Sequence, residues 1–327
     1  MGSKAVLRLL VLFVVVVSAA VLFGKLFSAV SASPEEPVKV IVYVKEGAKE
    51  TKLVRGFIPV SASVNSESVL QSIPKGEVLE KHRFSSFDGF TATVSKAQYD
   101  RLKANPNLEV YEDIVLYTAL DSSIPLINAS IATGLVYNSS NITGNSVSVC
   151  VIDTGINYTH PALGGCTTTA FSDGTCAKVP GGYDFTNSDN DPMDNQGHGS
   201  HVAGIVASTD STYRGVAPNA SLIAIKACND AQPTASCSST DMISGIDWCV
   251  NNASRFNISA ISISIGTGAV YSTYCDADGS VGIFRRPIDD AVVRNISVVI
   301  SAGNSGITTG ISAPACIKNA TAVSSTT

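Results

Sequence analysis

Three polar side chains stand at the ends of apolar runs in this sequence, in the order Asp153, His198, Asn304. An imidazole moves protons near neutral pH. A carboxylate beside it orients the ring and stabilises its charged form, and a carboxamide can donate to a developing oxyanion. Each group needs an element to position it. Residues 146–152 alternate and then run apolar, which predicts a buried strand that delivers Asp153 at its carboxyl end, where open α/β sheets bind ligands. Residues 296–301 predict another strand, ending in Ala302-Gly303-Asn304-Ser305-Gly306. Between them, Gly197-His198-Gly199-Ser200-His201 opens into a small, apolar run. That pattern predicts a tight turn feeding a buried helix, with His198 held in its first turn.

The surrounding pattern supplies the scaffold. Strands are predicted over 220–226, 258–265 and 320–324, with helices over 240–250 (Thr240 as cap) and 288–294. Strands alternating with helices imply an α/β fold, a doubly wound, mostly parallel sheet flanked by helices. Ahead of it, a strand over 38–44, a helix over 66–73 and one or two strands within 82–94 are expected, with Phe84, Phe87 and Phe90 as anchors. A capped helix over 95–103 and a strand over 110–117 complete a small ferredoxin-like α+β unit.

The segments Val-Ile-Asp153-Thr-Gly-Ile, Gly-His198-Gly-Ser-His-Val-Ala-Gly and Ser-Ala-Gly-Asn304-Ser-Gly resemble the aspartate, histidine and oxyanion motifs of the subtilisin-like serine proteases. Ser200 stands where that family usually has Thr. The resemblance covers 121–327 and implies a secreted endopeptidase acting on proteins through an Asp-His-Ser triad. It makes Asp153 and His198 catalytic and Asn304 the oxyanion donor. It implies that Ser264, Ile265 and Gly266 pair with the substrate backbone. Ala302 and Gly303 then wall the pocket for the residue before the scissile bond, left open by their small size. Residues 33–120 resemble the family's inhibitory propeptide, which packs on the protease, assists its folding and leaves its tail in the cleft; autocleavage is expected near 117–121. The family's nucleophile lies in a Gly-Thr-Ser-Met-Ala-like motif, and these 327 residues contain no Gly-Thr-Ser. The sequence therefore reads as a zymogen cut short before its serine, inactive by itself. The alternative is a catalytically inactive subtilase-like peptide-binding protein.

The remaining features set the environment. Residues 1–27 carry Lys4 and Arg8 before an uncharged run over 9–24, with Lys25 after it and Val30-Ser31-Ala32 behind. This reads as a secretory signal peptide cleaved after about Ala32; an uncleaved anchor over 1–32, giving a cell-surface protein, is the alternative. All eight cysteines lie beyond the propeptide segment, consistent with disulfides in an oxidising compartment. Cys166–Cys176 and Cys228–Cys237 are the first pairs expected, with Cys275–Cys316 a further candidate and Cys150 and Cys249 read as buried free thiols. Nine Asn-x-Ser/Thr sequons, from Asn128 to Asn319, suggest a glycosylated surface. Asp184, Asn187, Asp189 and Asp191, followed by Asp194, offer hard oxygens at short spacing, as a structural Ca²⁺ would require; they equally suit a solvated, turn-rich loop. No organic cofactor is implied. A net charge of −5 argues against nucleic acid as the main partner.

Overall fold

The computed structural model describes residues 36–54, 58–74, 78–118, 134–137, 139–232 and 234–324. The segment read as a signal or anchor lies outside them, as do the residues after Thr118 in the expected autocleavage stretch. Among the described residues no helix is long and apolar enough to cross a membrane.

The amino-terminal part runs β1 (Val38–Val44), β2 (Lys49–Val54), β3 (Ile58–Ser63), α1 (Ser66–Ser72), β4 (Val78–Arg83), β5 (Gly89–Val94), α2 (Lys96–Lys103) and β6 (Leu108–Glu112). Its antiparallel sheet has the order β4-β5-β1-β6, the ferredoxin-like arrangement. The hairpin β2–β3 is an insertion that the sequence reading missed. Helix starts follow local chemistry. The Asn65 side chain accepts from Ser68 N–H while the Ser68 hydroxyl accepts from Asn65 N–H, and the Ser95 hydroxyl accepts from Gln98 N–H. Strand β1 is apolar on both faces for a reason. Val40, Val42 and Val44 pack with Phe90 and Leu102 beneath the unit's own helices, whereas Ile41 and Tyr43 join the core of the larger sheet.

The predicted strand 110–117 is two strands. After β6 the chain breaks at Asp113-Ile114, and β7 (Val115–Thr118) enters a different sheet. The larger part then runs β8 (Val136–Tyr137), β9 (Ser140–Asn141), β10 (Ser148–Asp153), α3 (Thr168–Ser172), β11 (Gly181–Asp184), α4 (His198–Ala207), β12 (Ser221–Lys226), β13 (Ser236–Ser238) and α5 (Ser239–Asn251). It continues with α6 (Ala253–Phe256), β14 (Ile258–Ile263), β15 (Ile265–Gly266), β16 (Val270–Tyr271), α7 (Arg285–Val293), β17 (Ser297–Ser301), β18 (Ile311–Ser312) and β19 (Thr321–Val323). A six-stranded parallel sheet, β11-β12-β10-β14-β17-β19, makes this an α/β fold flanked by helices.

Three local expectations are corrected. Helix α5 is capped by Ser238, whose hydroxyl accepts from Asp241 N–H, so Thr240 lies inside it. The run 258–265 divides at Ser264. Cys150 and Cys249 are not free thiols: both are fully buried, on β10 and α5, and bonded to each other. The other disulfides are Cys166–Cys176, Cys228–Cys237 and Cys275–Cys316.

Candidate active site

Asp153 is the last residue of β10 and is fully buried between β12 and β14. Its Oδ1 accepts from Thr154 N–H at 2.8 Å and lies 2.7 Å from His198 Nδ1. Its backbone carbonyl accepts from Ala227 and Cys228 N–H. Oδ2 accepts no hydrogen bond from the described residues, and burial pushes the carboxyl above its ordinary value, opposed by the bond to His198. A carboxylate at Nδ1 favours the tautomer that carries its proton there, which leaves the Nε2 lone pair to act as a base. Nε2 is buried and accepts nothing from the described residues.

The turn that carries His198 meets the orphan donors of α4 one by one. Gly197, at φ 106°, bends the chain into the helix. His198 N–H then donates to Gln196 Oε1, Gly199 N–H to Thr154 Oγ1 and Ser200 N–H to Asp194 Oδ2, each at 2.8 Å; His201 N–H makes the first helical bond, to Gly197. The close approach of α4 to β10 requires Gly199, where a Cβ would stand 2.1 Å from the Gly155 carbonyl oxygen.

The acidic run upstream accepts bonds mostly from its own loop. Asp184 Oδ1 accepts from Thr186 N–H and Oγ–H and from Asn187 N–H, and its Oδ2 accepts from the Asn187 amide. Asp189 Oδ1 accepts from Asp191 N–H, and Asp191 Oδ1 from the Tyr158 hydroxyl. Among the described residues no three His, Cys, Asp or Glu side chains gather as a metal site. A structural Ca²⁺ in this loop would compete with these donors for the oxygens of Asp184, Asp189 and Asp191.

Asn304 follows β17 and is exposed. With Ala302, Gly303, Val270 and Ile311 it lines a cavity of about 340 Å³. Gly303 is small because Ser312 packs against it: a Cβ there would lie 2.2 Å from Ser312 Oγ.

A second sheet is formed by β13, β7 and β15, the last of which follows β14 in the chain. Strand β7 lies antiparallel between β13 and β15, pairing Ser236–Ser238 with Tyr117, Leu116 and Val115, and Ile265–Gly266 with Thr118 and Tyr117. Ser264 sits in the break before β15. Edge β13 had no periodic signal in its three residues, and sequence reasoning missed it. It is tied to the site through the Cys228–Cys237 disulfide, because Cys228 N–H donates to the Asp153 carbonyl. Two carboxylates join the amino-terminal unit to α5. Asp113 accepts from Thr240 N–H and from the hydroxyls of Ser238 and Ser239, and Asp247 accepts from the N–H and hydroxyl groups of Ser85 and Ser86.

Comparison with known proteins shows the family. Residues 144–327, more than half of the chain, match the model of the subtilase family, Peptidase_S8. The chain is 28% identical over 314 residues to an alkaline protease of Alkalihalobacillus alcalophilus, spanning 95% of this chain and 73% of that one. It is 32% identical over 282 residues to serine protease AprX of Bacillus subtilis, across 82% of this chain and 55% of that protein. A solved cold-adapted subtilisin-like serine proteinase is 29% identical, with a TM-score of 0.44 and 59% and 60% of the two chains covered. The chain belongs to the subtilase family.

Proposed function

We propose that this chain is the amino-terminal portion of a secreted serine endopeptidase zymogen. Residues 33–120 would be its inhibitory propeptide and 121–327 the peptidase domain up to, but not including, the nucleophile. One arrangement supports the reading: Asp153 and His198 stand 2.7 Å apart at the end of β10, and β7 pairs on one side with β13, which the Cys228–Cys237 disulfide ties to the Asp153 carbonyl, and on the other with β15. An extended segment held by main-chain bonds on both sides is how a protease presents a peptide, and how a tail blocks that place. In catalysis His198 Nε2 would take the proton of a serine hydroxyl as it attacks the substrate carbonyl. It would return that proton to the leaving amine, with Asp153 holding the imidazolium. Asn304 would donate to the tetrahedral oxyanion, a contribution of about 3–4 kcal/mol measured in subtilisin itself.

The serine is expected from residues that follow Thr327. The test compares casein hydrolysis by the 327-residue chain with that by the chain carrying its gene's continuation. The first should show none and the second robust turnover. A second reading, a peptide binder without catalysis, is favoured only by the lack of Gly-Thr-Ser in these residues. A continued chain that holds peptides but never cleaves them would establish it. Turnover by the 327 residues alone would overturn the assignment of the nucleophile.

A further inference from the structure

We infer that Asp194 is a positioning residue that locks the Asp153 turn to the His198 helix. The inference rests on the dyad reading above and adds to it the device that sets its geometry. Asp194 is buried and its two oxygens accept five hydrogen bonds. Oδ1 accepts from Thr154 Oγ–H at 2.9 Å, Gln196 N–H at 2.9 Å and Gly197 N–H at 2.8 Å. Oδ2 accepts from Ser200 N–H at 2.8 Å and Ser200 Oγ–H at 2.6 Å.

The partners matter more than their number. Thr154 follows Asp153 directly, and Ser200 lies two residues after His198. Thr154 Oγ closes the circuit, donating to Asp194 and accepting from Gly199 N–H. Ser200 Oγ extends it, accepting from Asn157 N–H at 2.8 Å. One carboxylate therefore fixes both members of the dyad from behind, with its charge at a helix amino terminus, where it is favoured. The hydroxyl of Ser200 is the working group, so Thr at this position would serve equally.

The isosteric variant Asp194→Asn replaces one acceptor oxygen by an NH₂ that faces N–H and O–H donors. In ¹⁵N-histidine-labelled chain, the imidazole proton shared by His198 Nδ1 and Asp153 should appear as a low-field resonance. Asp194→Asn should speed its exchange with solvent by about tenfold, the scale of a lost charge-assisted hydrogen bond. Ser200→Ala should speed it severalfold, and Ser200→Thr should restore the wild-type rate. A residue that merely caps the helix would lower the melting temperature and leave this proton alone. Exchange in Asp194→Asn within about twofold of wild type would therefore overturn the inference. Should Asp194→Asn fail to fold, the serine pair decides: Ser200→Ala indistinguishable from wild type is the contrary result. Absence of the resonance from the wild-type chain would remove the dyad itself, and with it both this inference and the function proposed above.

Discussion

Two neighbouring stretches, 184–191 with three aspartates and 194–200 with one, use their carboxylates differently. In the first, Asp184 and Asp189 accept bonds from their own loop, two or three residues on, and Asp191 accepts from Tyr158. In the second, Asp194 reaches forward to Ser200 and back to Thr154, joining two separate elements beside His198. Acid density alone does not say what a run of carboxylates holds. The acceptor-by-acceptor account distinguishes a loop that folds on itself from a turn that aims a histidine.

Variants can break this contrast or sharpen it. The largest effect on folding is expected for Gly199→Ala, whose methyl group would stand against the Gly155 carbonyl and 3.1 Å from Asp153 Cβ. It should lower stability by about 3 kcal/mol in urea unfolding and abolish the low-field His198 resonance. Wild-type unfolding would mean that α4 can move off β10 at little cost. Thr154→Val, nearly isosteric, orphans Gly199 N–H and removes a donor from Asp194; a loss of about 1–3 kcal/mol is expected, again with the resonance disturbed.

Asp184→Asn supplies the other half of the contrast. It should cost about 1 kcal/mol and leave the His198 resonance where it was, since every bond it disturbs lies within its own loop. Held by these bonds alone, the loop should melt at equal temperatures in Ca²⁺ and in a chelator; a calcium-dependent rise lost in Asp184→Asn would establish the cation reading of that loop. The smallest effect concerns pH. Burial pushes Lys178, whose ammonium donates to the Pro218 and Ala220 carbonyls, from 10.5 to about 8. Between those values the unfolded chain binds more protons than the folded one, so this group makes stability rise with pH from about 8 to about 10.5. Lys178→Met should flatten that slope in melting curves without touching the His198 resonance. An unaltered slope would show that the amine is better hydrated than its position implies.

The sheet was legible in the sequence because β10, β12, β14 and β17 are apolar runs bounded by turn residues, and because the groups that matter sit at their ends. What escaped was whatever depends on direction or distance along the chain. Cys150 and Cys249 are separated by 99 residues, and each looks like an ordinary buried side chain of its own element. The break at Asp113 is invisible to alternation, since β6 and β7 continue one pattern while joining different sheets. Asp194 sits in an acidic run, and spacing does not say which way a carboxylate turns. Ser238 precedes three further residues able to cap, Ser239, Thr240 and Asp241, and the backbone starts α5 after the first of the four.

The central claim is that His198, oriented by Asp153, is the base of a peptide-cleaving site. The most direct measurement is the rate of peptide hydrolysis by the chain carrying its continuation past Thr327, compared with its His198→Ala variant. The account predicts a fall in kcat of about a million-fold, the loss seen in subtilisin when its histidine is removed. Equal rates in the two proteins would contradict it.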